Sequence, residues 1–98
     1  MYSKVENKFV HLIAAGNYVM TLHAFEEMED DGLDIFDIEN VVIKGKVIEK
    51  QKDMLTGEFK YRFKGQTLSN GIAETVLKFG FHGKAVIITV YKARQEIL

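Results

Sequence analysis

The sequence contains no cysteine, no proline and no tryptophan in its 98 residues. Without cysteine there is no disulfide, no thiolate zinc site and no cysteine nucleophile, a composition that fits a reducing compartment. Long hydrophobic runs are also missing. The most apolar stretch, Ala85 to Tyr91, is far shorter than the roughly 20 residues of a membrane-spanning helix. Lys4, Glu6 and Lys8 precede an apolar stretch broken by His11, unlike the cationic start and clean apolar run of a secretory leader. The expected location is the cytoplasm, with no membrane partner. Apolar residues, at 47% with seven Phe and four Tyr, are sufficient for one hydrophobic core, and a single domain over residues 1–98 is expected.

The formal net charge of −1 conceals an uneven distribution. Residues 1–43 carry Lys4 and Lys8 against nine acidic residues, whereas residues 44–98 carry eleven lysines and arginines against five acids. Such asymmetry between halves is a sign of two surfaces with different partners.

The same boundary separates two periodicities. Val5, Phe9, Leu12 and Ile13 recur at helical spacing up to Gly16-Asn17, a pair suited to a left-handed C-cap. After a short extended Tyr18-Val19-Met20, Thr21 can N-cap a second helix through Asp30, with Ala24, Phe25 and Met28 facing inward. Asp34 caps a third, in which Ile38, Val41 and Val42 form the apolar stripe and Gly45 marks the end. From Lys46 the period becomes two. Lys46–Lys52 and Glu58–Lys64 flank a hairpin connection closed by Gly57, and Phe59, Tyr61 and Phe63 alternate with Lys60, Arg62 and Lys64. Gly65 to Gly71 reads as a polar loop. Ile72–Phe81 and Lys84–Lys92 form a second hairpin around His82-Gly83, and Ala85–Val90 is apolar on both faces, as in a central strand. The expected fold class is α+β, with three N-terminal helices packed on one face of a four-stranded antiparallel sheet.

His11, His23 and His82 lie on different elements without metal-ligand spacing, so no metal and no other cofactor is expected. Gly80-Phe81-His82-Gly83-Lys84 lacks the glycine spacing and hydroxyl residue of a phosphate loop and reads as a tight turn. Lys50, Lys52, Lys60, Arg62, Lys64, Lys78, Lys84, Lys92 and Arg94 fall on strands or strand ends. A folded sheet could gather several into a phosphate-binding surface, or they could solvate the sheet and protect its edges. His23, at a helix start, could be a structural hydrogen-bond partner or a general acid or base. Tyr91 could be a core-edge aromatic, with Lys92 beside it placed to hold a phosphate.

Residues 16–49, GNYVMTLHAFEEMEDDGLDIFDIENVVIKGKVIE, followed by QKDMLTGEFKY and KAVIITVYKA, resemble the bacterial family catalogued as domain of unknown function 4258. His23-Ala24 with Met28, Gly32-Leu33, Asp37 to Val41, and Val86 to Tyr91 are the most specific parts. The family is similar in layout to MqsR and other RelE-like toxins, small helix-plus-sheet proteins that cleave messenger RNA. Ala15-Gly16, Gly32-Leu33-Asp34 and Asn40-Val41-Val42 are placed as in MqsR. The resemblance implies a RelE-like fold and the toxin of a toxin–antitoxin pair, an endoribonuclease whose partners are RNA, with or without the ribosome, and a small cognate antitoxin with an N-terminal zinc-binding region. Lys92 matches the family's terminal-strand lysine, Lys50 or Lys52 the lysine after the first strand, and Gln66 a glutamine near the second. A tyrosine expected in the third strand falls at Val76 or a neighbour and is missing here, and Glu27 stands where relatives often carry arginine.

Metal-free RNA cleavage needs a base for the ribose 2′-hydroxyl, cations for charge developing on the phosphate and an acid for the departing 5′-oxygen. The corresponding candidates are Lys52 or His23 for proton transfer, Arg62 and Lys92 as the phosphate clamp, and Tyr91 as a stacking or proton-donating group. Lys50, Lys60, Lys64, Gln66 and Lys78 are the candidates for holding RNA. The competing expectation is a non-catalytic module that pairs with a partner protein on the same scaffold. A metal-dependent hydrolase is a third, weaker for want of ligand spacing.

Overall fold

A computed structural model describes residues 1–93; Arg94 lies outside the described residues. Helix α1 spans Ser3–Ala14, strand β1 Tyr18–Met20, helix α2 Leu22–Asp30 and helix α3 Ile35–Lys44. Strands β2 (Lys46–Lys52), β3 (Phe59–Gln66), β4 (Ile72–Phe79) and β5 (Ala85–Lys92) follow, with one 3-10 turn at Phe81–Gly83. The local signals account for most of these boundaries. The Thr21 hydroxyl accepts the Ala24 amide at the start of α2, and Asp34 and Asp37 form a reciprocal capping box on α3. Gly16 and Gly57 take the left-handed backbone that their turns require, with φ of +73° and +75°.

The sheet departs from the four antiparallel strands expected. It has five strands in the order β1-β5-β4-β3-β2, and β1 runs parallel to β5, pairing Tyr18 with Ala85 and Met20 with Ile87. The helices are accordingly not one uninterrupted N-terminal block, because β1 enters the sheet between α1 and α2. Four strand limits also shift: β3 runs on through Gly65 and Gln66, expected in the loop, β4 stops at Phe79, and β3 and β5 each start one residue later, at Phe59 and Ala85.

Strand alternation divides the side chains between a helix-covered face and an uncovered one. Tyr61 and Phe63 of β3, Ala73, Thr75 and Leu77 of β4, and Ala85, Ile87 and Val90 of β5 are buried beneath Phe9, Ile13, Ala24, Met28, Ile38, Val41 and Val42 of the helices. Phe9 is the hub, stacked on Phe79 at 4.1 Å and edge-on to Tyr61 and Phe63. Phe25, expected to face inward, is instead 45% exposed. Ala24 and Met28, four residues apart, take the buried stripe of α2, and Phe25 lies to its side.

Beyond Met20 the edge of β5 has no neighbouring strand, and α2 closes it with side chains. The Thr21 hydroxyl donates to the Ile88 carbonyl at 3.1 Å, while Glu27 accepts the Val90 amide at 3.1 Å and Asp31 the Lys92 amide at 2.7 Å. At the other side of the helix layer, α3 meets β3 backbone to backbone at Gly45 and Gly65.

Tyr18 donates a hydrogen bond to Glu39 at 2.8 Å, and its pKa is pushed up to about 12, first by partial burial and then by Glu39. Its contribution to stability is therefore complete below the ordinary tyrosine value near 10 and is lost as pH rises from there toward 12, since the unfolded chain ionises first. Thermal melts of the wild type and Tyr18→Phe at pH 8 and pH 11 should show the gap shifting in favour of the variant at the higher pH. An unchanged gap would remove Tyr18 from the alkaline behaviour.

Candidate functional site

The uncovered face is built by cross-strand register. Glu49 of β2 lies opposite Arg62 of β3, Arg62 opposite Val76 of β4, Val76 opposite Thr89 of β5, and Glu74 opposite Tyr91. Four polar side chains converge there. Arg62 Nη1 donates to the Tyr91 hydroxyl at 3.3 Å, Tyr91 donates to Glu74 Oε1 at 2.8 Å, and Glu49 Oε1 stands 3.3 Å from Arg62 Nη2. Arg62 Nε is buried 3.4 Å from Glu74 Oε1 without forming a hydrogen bond. The Tyr91 phenol is pushed above its ordinary pKa, first by partial burial and then by Glu74, so it remains a proton donor at neutral pH. The guanidinium thus has a phenol at one terminal nitrogen and an accessible carboxylate at the other.

The expected catalytic residues do not all meet. Arg62 and Tyr91 are in contact on the uncovered face. Lys92 follows Tyr91 directly and so points to the opposite face, where its backbone amide is held by Asp31. Lys52 also lies on the helix side, 5.9 Å from the Phe59 ring, with Lys50 over the same ring at 4.1 Å. His23 is largely exposed on α2 and pairs with Glu27 at 3.2 Å. The expected clamp of Arg62 with Lys92, and proton transfer beside it by Lys52 or His23, are incompatible with this placement. Glu27, at the position where the resemblance places arginine, is engaged in holding the β5 edge.

Among the expected RNA-holding residues, Lys60, Lys64, Gln66 and Lys78 share the uncovered face, and Lys50 does not. The Gln66 carbonyl also accepts the Asn40 side-chain amide at 2.8 Å. The segregation of charge suggested by the two halves of the sequence is only partial. Lys60 pairs with Asp53 at 3.4 Å, Lys78 with Glu58 at 3.0 Å, and Arg62 with Glu49 and Glu74. Lys46, Lys64 and Lys84 make no ion pair among the described residues. Exposed pairs of this kind contribute little to stability, about 0–1 kcal/mol each.

Sequence reasoning missed Glu49 and Glu74. Both stand at outward positions of their strands, but only the register shows that they meet Arg62, and a bulge between Val47 and Glu49 shifts that register. Val76, where the resemblance places a tyrosine, lies beside Arg62; the phenol next to the guanidinium comes instead from Tyr91 on β5. Among the described residues, no group of three or more His, Asp or Glu side chains is gathered as metal ligands, and no helix is long and apolar enough to cross a membrane.

A family model described as "Domain of unknown function (DUF4258)" matches residues 20–92, well over half of the chain and including the whole Arg62 cluster. No curated protein and no solved structure matches the chain.

Proposed function

The chain belongs to the family described as a domain of unknown function (DUF4258), and from that premise we propose that it is the RNA-cleaving toxin of a bacterial toxin–antitoxin pair, with a RelE-like arrangement of helices and sheet. The observation that carries the proposal is the Arg62 guanidinium on an uncovered sheet face, with Tyr91 and Glu49 at its two terminal nitrogens. An in-line displacement at phosphorus needs a base and an acid on opposite sides of a cation-bound phosphate. Glu49 takes the proton of the ribose 2′-hydroxyl as its oxygen bonds to phosphorus. Arg62 stabilises the charge on the non-bridging oxygens. As the bond from phosphorus to the 5′-oxygen breaks, Tyr91 gives that oxygen its proton, and solvent returns the protons afterward. The products are a 2′,3′-cyclic phosphate and a free 5′-hydroxyl.

Two carboxylates already neutralise Arg62, so a phosphate must displace one of them. Glu49 is the exchangeable partner, with 39% of its side chain exposed against 14% for Glu74, and its release frees it to act as base. Because Lys60 and Lys78 are also paired, leaving Lys46, Lys64 and Lys84 without ion pairs among the described residues, the face gives RNA modest attraction before binding, and an antitoxin covering the same face would block access. Incubation with RNA should yield cyclic phosphate ends, and a 2′-deoxy substitution at the scissile nucleotide should abolish cutting. Cleavage that persists in the deoxy substrate would exclude this mechanism.

The same ion pairing favours a second reading, a non-catalytic module whose nearly neutral sheet face receives a partner protein. Intact RNA after incubation with folded protein, together with harmless expression in cells, selects that reading over the first.

A further inference from the structure

The uncovered face has a concavity apart from the Arg62 cluster. Where β4 passes into β5, a groove of about 450 Å³ has Val19, Phe81 and Val86 as its apolar lining, with Phe79, whose ring stacks on Phe9, at its border, and Glu58, Lys78 and Lys84 as its charged residues, Lys78 being paired with Glu58 at 3.0 Å. Val19 and Lys78 each pair with Val86 in the sheet register, so the groove opens on β5, the strand that carries Tyr91. Phe81 is 89% exposed, more than Phe25, Phe36, Phe59 or Phe79. It is held on a tight turn, where the Gly80 amide donates to the Lys84 carbonyl at 2.7 Å and His82 and Gly83 take left-handed backbone, φ +61° and +71°. A Cβ on Gly80 would stand 2.6 Å from Val86 Cγ2, so glycine there lets the turn lie close against β5.

An exposed aromatic over an apolar floor, with Lys84 free of ion pairs among the described residues and Lys78 balanced by Glu58, suits a flat heterocycle attached to a single phosphate. Unpaired bases are recognised in this way, by stacking on aromatic side chains while cations follow the backbone. The groove is of a size to hold one such group. From Val86 to Tyr91 is about 17 Å along an extended strand, a distance bridged by a short run of nucleotides. Lys84, with no ion pair among the described residues, is available to a phosphate.

We infer that the groove is a base-binding subsite for single-stranded RNA, in which a base stacks on Phe81 and the adjacent phosphate contacts Lys84. Occupation of the groove fixes which phosphate reaches Arg62. This inference rests on the RNA reading of the Arg62 cluster, and its test separates the two.

The absence of tryptophan supplies the probe, because Phe81→Trp places the chain's one indole in the groove. Titration of this variant with a fully 2′-O-methylated RNA oligonucleotide, which cannot undergo 2′-hydroxyl attack, should quench the indole saturably. Phe81→Ala should weaken binding of the same oligonucleotide by about tenfold or more, the scale of one lost stacked base, and should shift or blur the cut positions in unmodified RNA. Lys84→Ala should also weaken binding and make its salt dependence shallower, since a phosphate contact has been removed. Quenching without any cleavage supports the groove and overturns the nuclease reading. Cleavage that is unaffected by Phe81→Ala and Lys84→Ala overturns the groove and leaves the nuclease reading standing. Indole emission that changes with protein concentration alone assigns the groove to a second copy of the chain and overturns the inference. If Phe81→Trp does not fold, unchanged oligonucleotide affinity in Lys84→Ala is sufficient to overturn it.

Discussion

Arg62→Ala is expected to lower RNA cleavage by about a hundredfold to a thousandfold, the scale of removing one positioned charge from the site of a transition state. The melting temperature should move by only a few degrees. Arg62 is about one-third exposed and its partners are carboxylates on the uncovered face, so its ion pairs contribute little to the fold. Arg62→Lys should recover little activity. A lysine ammonium has no fork to bridge the Tyr91 hydroxyl and a phosphate oxygen simultaneously. Counting 2′,3′-cyclic phosphate ends on a defined RNA, alongside thermal melts, separates lost chemistry from lost structure. Full cleavage by folded Arg62→Ala would remove the cluster from the reaction.

Gly65→Ala should be severely damaging for so small a substitution, lowering stability by about 3 kcal/mol or more, or roughly 12–20 °C in melting temperature for a domain this size. An added Cβ would stand 2.6 Å from the Val41 carbonyl oxygen, 2.9 Å from Gly45 Cα and 3.1 Å from Val41 Cα. All three are backbone atoms, so no side chain can rotate out of the way, and α3 must lift from β3. That displacement disturbs Val41 and Val42, which are fully buried. Circular dichroism melts would measure it. A loss within a degree or two would mean that α3 can slide on the sheet.

Much of the fold was legible in the sequence. Thr21 and Asp34 announce helix starts because their side chains can hold the first free amides, and Gly16 and Gly57 mark turns that need left-handed backbone. The run Ala85–Val90 identifies an inner strand, since both of its faces are apolar, and β5 does lie between β1 and β4. The extended Tyr18–Met20 was legible, but its place in the sheet was not, for a physical reason. Three residues are too few for alternation to show, and their partner is 67 positions away, as between Tyr18 and Ala85. The site was half legible. Alternation by itself forbids Tyr91 and Lys92 from sharing a face, and applying it would have excluded their joint use at one phosphate. The meeting of Glu49 with Arg62 could not be read that way, because the bulge in β2 breaks the count.

The clasp between α2 and β5 works because two unrelated repeats nearly coincide. Glu27 and Asp31 are separated by about 6 Å along a helix axis, and the amides of Val90 and Lys92 by about 6.7 Å along a strand. Two rungs fit, and the mismatch would grow with every further one, so a short helix suits this task better than a long one. In effect α2 serves as a false strand that terminates the sheet. Side-chain oxygens take the bonds that another chain's backbone would otherwise seek, and they offer no edge of their own for a further strand to join. The acidic residues of the helical half are thus partly a seal against self-assembly, which leaves the opposite edge, β2 with Lys46, Lys50, Lys52 and its bulge, to be guarded by charge instead.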